Sequence, residues 1–253
     1  PKNNIYATFS TSFTHGMPKI GNVGMVSQSG AFGSHCFVLG REKGIGFSYW
    51  VTTGNEVDVD VAECIAFMSQ DPGTDVICAY IEGWKDGARL EEALRLAYEA
   101  RKPVLIQKVG RSDVGTAAAA SHTASLTGAD QVYDAVFERY NAYRCLTVDE
   151  LIDITHAASN GVLPQGRNVA VGSISGGAAV MMADAASDAG LEMEPLPDAS
   201  QAKLKKLIPF AGTRNPVDFT AMVYNDMSLI TKNFDIILGE GNYDAVVGFF
   251  AFL

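Results

Sequence analysis

The chain has 253 residues, 47% hydrophobic and 19% charged, which is ordinary globular usage and argues against disorder. Twenty-nine acidic against nineteen basic residues leave a formal charge of −10, so a polyanion such as DNA is repelled and no nucleic-acid partner is expected. No apolar run reaches the roughly 18 residues needed to cross a bilayer and no signal-peptide pattern opens the chain, so the expectation is a cytoplasmic protein without a membrane partner. Cys36, Cys64, Cys78 and Cys145 lie singly in apolar segments, which suits reduced core thiols; no metal is expected. The cluster Lys203, Lys205 and Lys206 reads as a solvated helix face. The chain opens on Pro1 and stops at Leu253 inside an apolar run, and is read as a piece of something longer.

Residues 1–20 are rich in turn formers and show no period, so they read as a linker or the tail of a preceding domain. From Gly21 apolar strands alternate with amphipathic helices. Strands are expected over 22–27, 46–52, 75–81, 103–109 and 142–146, with helices over 31–43, 57–70, 88–100, 129–140 and 148–160. Segments such as VICAYI and PVLIQKV are apolar on both faces, as in a parallel sheet covered on each side, which gives a doubly wound, flavodoxin-like or Rossmann-like domain over 21–160. GVLPQGR (161–167) breaks both periods. After it the alternation restarts over 168–253, with strands expected at 168–172, 191–196 and 245–250 and helices at 177–189, 199–208 and 227–239.

The second series repeats the first. Asn22–Ala31 aligns with Asn168–Gly177, matching SQSG to SISG, and Asn55-Glu-Val-Asp58 aligns with Asn215-Pro-Val-Asp218. The fold class is therefore α/β, two tandem flavodoxin-like domains with parallel sheets, the second incomplete.

Ligands of parallel sheets bind outside the carboxyl ends of the strands, where helix N-termini present free N–H groups. Ser29, Gly30 and Ala31 stand at one such place, with Ser27 or Ser29 as cap, and Ser175, Gly176 and Gly177 at the equivalent one. Two such N-termini could face each other and hold one anion. The loop after the fourth strand, GTAAAASHTASLTG (115–128), is too poor in bulk to fill a core and carries one able side chain, His122. At that edge a neutral imidazole could act as a general base or as a nucleophile for phosphoryl groups. Its second nitrogen needs an acceptor. Glu82, closing the third strand in YIEG, is the best candidate, with Asp86 and Glu91 behind it. Neither G-x-x-x-x-G-K-[ST] nor a G-x-G-x-x-G following a strand occurs, so ATP or NAD is not expected to bind these domains in the usual way.

At SQSG, GNEVDVD, YIEG, KPVLIQKVGRS, SHTASLTG, SISGG and NPVD the sequence resembles the nucleoside-diphosphate-forming acyl-CoA synthetases, the superfamily of succinyl-CoA synthetase. The resemblance covers essentially the whole chain. It implies that residues 1–20 end a CoA-binding Rossmann domain, that 21–160 form the succinyl-CoA-synthetase-like flavodoxin domain, and that 168–253 form part of a second ligase domain. It further implies conversion of acid, CoA and ATP into acyl-CoA, ADP and phosphate through an acyl phosphate and a phosphohistidine. His122 would be phosphorylated and Glu82 would orient it. The helix N-termini at Ser29, Gly30, Ala31 and at Ser175, Gly176, Gly177 would hold the phosphoryl group, and Asn55 and Asp58 would lie near the acyl pocket. CoA and Mg-ATP or ADP would be bound mainly outside this chain, by other domains and an ATP-grasp domain or subunit, in an oligomeric assembly whose interface could leave apolar surface on the second domain. The family usually has glycine after the His-Thr pair, where this chain has Ala124. A second hypothesis is a non-catalytic module sensing acyl-CoA or nucleotide, as in lysine acetyltransferase fusions; a third is an FMN binder, against which no aromatic-flanked phosphate loop is found.

Overall fold

Strand–helix alternation builds two α/β units in the computed structural model, Pro1–Val162 and Leu163–Leu253. The structure describes residues 2, 3, 5–8, 11–117 and 130–251. The first unit contains the parallel strands β1 (Lys19–Ser27), β2 (Gly46–Thr52), β3 (Val76–Ile81), β4 (Val104–Lys108) and β5 (Tyr143–Arg144), in the order β2-β1-β3-β4-β5. This is the flavodoxin order, whose direction of winding reverses between β1 and β3. Helices α1 (Gly30–Glu42) and α5 (Val148–Ser159) cover one face, where Cys36, Phe37, Leu151 and Ile152 pack on Val23, Met25, Cys78 and Leu105. Helices α2 (Val61–Gln70), α3 (Gly87–Glu99) and α4 (Asp130–Arg139) cover the other, with Ile65, Leu94 and Phe137 on Val26, Ala79 and Ile106. Every residue of β3 and β4 is buried, as the continuous apolar runs require. All four cysteines are buried free thiols.

Local interactions explain two differences from the sequence reading. Helix α2 begins at Val61 because the Asp60 carboxylate caps it, accepting from Glu63 N at 2.7 Å; Val57 is left 96% exposed in the preceding loop. Residues 11–15, within the stretch read as a linker or the tail of a preceding domain, form a 3₁₀ turn, and Phe13 packs edge-on against Phe37 (5.3 Å) and Trp50 (5.8 Å).

The second unit has β6 (Val169–Ser173), β7 (Val217–Asp218) and β8 (Ala245–Phe249) in the order β7-β6-β8, with helices α6 (Gly176–Asp188), α7 (Asp198–Leu207) and α8 (Ser228–Glu240). The strand expected at 191–196 does not form; only Glu192 bridges to Asn168. Pro195 and Pro197 lack ladder donors. The Asn215 amide fills the gap instead, accepting from Val171 N (3.1 Å) and donating to Val169 O (3.0 Å) and Glu194 O (2.9 Å). Val217–Asp218 is thus itself the second strand, and the match of Asn55–Asp58 to Asn215–Asp218 is out of register: Ser27 pairs with Thr52 and Ser173 with Asp218. The core of this unit is Leu204, Ile208, Val217, Phe219 and Ile237, while β8 leaves Val247 and Phe249 exposed. Among the described residues no helix is long and apolar enough to cross a membrane.

The first repeat element does hold in three dimensions. Asp75 N donates to Asn22 O (2.8 Å) as Asp244 N does to Asn168 O (2.7 Å), and Thr53 N donates to Ser27 O (2.9 Å) as Phe219 N does to Ser173 O (2.7 Å).

Candidate functional site

The same duplication builds the two helix N-termini. Ser27 Oγ donates to Ser29 O (2.7 Å) and accepts from Ser29 N (3.1 Å), closing a tight turn after β1. Ser29 Oγ then caps α1 by accepting from Phe32 N at 3.2 Å. Ser173 and Ser175 repeat the set at 2.8 and 3.0 Å, with a longer cap to Ala178 N at 3.5 Å. Gly30 and Ala31 are exposed, and among the described residues nothing accepts their N–H groups. Two free donors at the positive end of a helix suit one anionic oxygen-bearing group.

The two ends are not equivalent. Among the described residues nothing lies within 4 Å of where a methyl on Gly30 would stand, whereas one on Gly176 would meet Asp218 Oδ2 at 3.0 Å. The α6 terminus therefore already faces a carboxylate. Position 52, the register equivalent in the first unit, is a threonine.

Glu82 follows β3, the strand beside β1, and so lies at the switch point with Ser29. Its backbone N–H and that of Gly83 donate to Gln28 Oε1 at 2.6 and 3.2 Å, and Gln28 Nε2 donates to Gly83 O at 2.8 Å. Among the described residues none donates to the Glu82 carboxylate. Burial, reinforced by the negative charge of Glu82, pushes the Tyr80 phenol up to about 12, and Tyr80 stacks on Phe32 in the first turn of α1 at 4.0 Å. Both alternatives to Glu82 are committed elsewhere. Asp86 caps α3 through Ala88 N (3.0 Å) and Arg89 N (3.3 Å), and Glu91 accepts from Arg139 and the Tyr140 hydroxyl, each at 2.8 Å.

Asn55 and Asp58 lie in the exposed loop after β2, in which Gly54 and Glu56 take positive φ. Lys85 Nζ ties this loop to the Glu82 turn by donating to Asn55 O (2.8 Å) and Glu56 O (3.0 Å). His122 and Ala124 lie outside the described residues; before them, 113–117 are in a helix.

Sequence reasoning missed Gln28, Lys85, Asp218 and Lys108. Only Gln28 had a signal there, as the single polar-to-apolar difference between SQSG and SISG. Lys108 ends β4 at 2% exposure, with Nζ donating to Val109 O (2.5 Å) and lying 4.7 Å from the centre of the Tyr133 ring. Burial lowers its pKa, against the raising charge of Asp130 and with a further lowering from Arg144. The folded state therefore binds fewer protons than the unfolded chain between that lowered value and the ordinary value near 10.4, and stability rises with pH across this window. Lys108→Met is expected to abolish that rise and to add of the order of 1 kcal/mol at neutral pH, measured by urea denaturation at neutral and alkaline pH.

Residues 20–158 match the succinyl-CoA ligase like flavodoxin domain family. The alpha subunit of ADP-forming acetate–CoA ligase I of Pyrococcus furiosus is 39% identical over 202 residues, 80% of this chain and 44% of that subunit. The alpha subunit of its ligase II is 34% identical over 245 residues, 96% of this chain and 52% of that subunit. The chain thus spans about half the length of these relatives. In structure it is similar to the dinucleotide-forming acetyl-coenzyme A synthetase 1 of Ca. Korarchaeum cryptofilum, in complex with phosphate and ADP, with a TM-score of 0.78 at 29% identity over 92% of this chain and 57% of that one.

Proposed function

The chain belongs to the succinyl-CoA ligase like flavodoxin family, among the ADP-forming acyl-CoA synthetases, and on that premise we propose that it is the phosphohistidine-bearing core of such an enzyme. In the direction of acid release, a nitrogen of His122 attacks the phosphorus of an enzyme-bound acyl phosphate. The P–N bond forms as the P–O bond to the acyl oxygen breaks, and the carboxylate leaves. Glu82 accepts the other imidazole N–H and fixes the ring. The free N–H groups of Gly30 and Ala31 hold the phosphoryl oxygens, and Asn55 and Asp58 border the acyl pocket; the α6 terminus (Ser175, Gly176, Gly177) serves as a second anion site only if the Asp218 carboxylate facing it moves aside.

The observation that carries this reading is a Glu82 carboxylate that no described residue donates to, held at the switch point beside a Ser29-capped helix N-terminus whose first two N–H groups find no acceptor among the described residues. CoA and Mg-nucleotide fall to segments outside this chain and to an ATP-grasp domain or subunit, and this piece alone does not complete the cycle. The test is the intact mass, at alkaline pH, of the complete protein with its ATP-grasp module after Mg-ATP. One acid-labile phosphoryl group on the peptide containing His122 is the expected result. An unmodified peptide sinks the catalytic reading and leaves the acyl-CoA-sensing module in its place.

A further inference from the structure

We propose that Gln28 is a positioning residue for phosphoryl transfer, acting through Glu82; the inference rests on the reading of Glu82 and His122 given above. Gln28 is a buried polar side chain, 6% exposed, between the two serines that build the α1 N-terminus. Its three side-chain hydrogen bonds, to Glu82 N, Gly83 N and Gly83 O, all go to one turn. Its own N–H donates to Tyr80 O, two residues before Glu82. One side chain therefore fixes the peptide planes on both sides of the Glu82–Gly83 bond, and with them the direction in which the Glu82 carboxylate leaves the backbone.

The duplicated unit supplies the comparison. Ile174 occupies the position of Gln28, is 8% exposed, and donates its N–H to Phe249 O as Gln28 does to Tyr80 O. Ser27 pairs with Tyr80 and Ser173 with Phe249, so the residue matching Glu82 is Ala251. The polar clamp and the carboxylate occur together in one unit and are replaced together by apolar residues in the other. An apolar side chain thus satisfies the fold at this position. The glutamine is needed only where a carboxylate has to be aimed, because an amide with both a donor and an acceptor can hold a turn in one orientation and an isoleucine cannot.

The experiment uses the complete protein with its ATP-grasp module, probed with Mg-ATP. Gln28→Leu should accelerate amide exchange at Glu82 and Gly83 and slow phosphorylation of His122 about 10- to 100-fold, the cost of losing an outer-shell partner. In a Glu82→Gln background the same substitution should cost nothing further, since its effect passes through the carboxylate. Gln28→Glu, which keeps an acceptor and adds a charge beside Glu82, should move the acid limb of the rate profile up by about one pH unit. Equal slowing by Gln28→Leu with and without Glu82, or wild-type rates and an unshifted profile in both variants, overturns the positioning role while the phosphohistidine stands. No adduct on the unaltered protein overturns both.

Discussion

Glu82→Gln is expected to slow phosphorylation of His122 by about a hundred- to ten-thousand-fold, the range set by orienting and proton-handling groups in nucleophilic catalysis. The amide has the shape of the carboxylate and can still accept one hydrogen bond. It lacks the charge that offsets the positive charge growing on the imidazole as the P–N bond forms, and it can present its NH₂ to the ring and select the wrong tautomer. Among the described residues, neither of the two nearby carboxylates weighed as alternatives is placed to take over. Asp86 is occupied as the α3 cap, and Glu91 is paired with Arg139 and Tyr140. Rapid-quench measurement of the phosphorylated peptide gives the rate, and melting the variant checks the fold, which should be unchanged because the Gln28 clamp holds the Glu82 backbone and not its carboxylate. An unchanged phosphorylation rate would remove Glu82 from the mechanism.

The parts legible in the sequence are those whose physics is local or periodic. VICAYI reads as a buried strand because both faces are apolar, and β3 is buried at every residue. SQSG reads as a capped helix start because serine followed by two small residues leaves the first turn open, and Ser29 caps α1. What escaped depends on partners distant in the chain. The segment 191–196 has strand-like composition yet loses its place to the side chain of Asn215, an amide acting as a rung of the ladder from twenty residues away. Asp218 looks like part of a loop motif, but its role at the α6 terminus follows from β7 pairing with β6. Lys108 sits in an apolar run, and no local pattern tells whether such a lysine reaches solvent; at 2% exposure this one does not.

Phe37→Ala should destabilise the first unit by about 3–5 kcal/mol, the usual cost of removing a buried aromatic ring. Phe37 is fully buried on α1, stacked on Trp50 at 4.6 Å and Phe47 at 5.5 Å and met edge-on by Phe13 at 5.3 Å. No residue in that cluster can fill the vacated volume without leaving another contact, so the cavity cost adds to the lost transfer free energy. For a unit of this size the midpoint should fall by about 2–4 °C per kcal/mol, and Phe37→Leu should recover a large part of it. Trp50 reports the change directly: its buried Nε1 has no hydrogen-bond partner among the described residues, and opening the stack admits water and shifts its emission to the red. The consequence reaches the site because α1 is fastened at two places. Its first turn is held by the Ser27–Ser29 hydrogen bonds and by Phe32 on Tyr80, and its middle by Phe37. Loosening the middle lets the free Gly30 and Ala31 donors drift relative to Glu82, which stays clamped to the turn after β1, so phosphoryl transfer should fall before the unit melts. A variant that melts early yet phosphorylates at the full rate below its midpoint would show that the first turn alone sets the geometry.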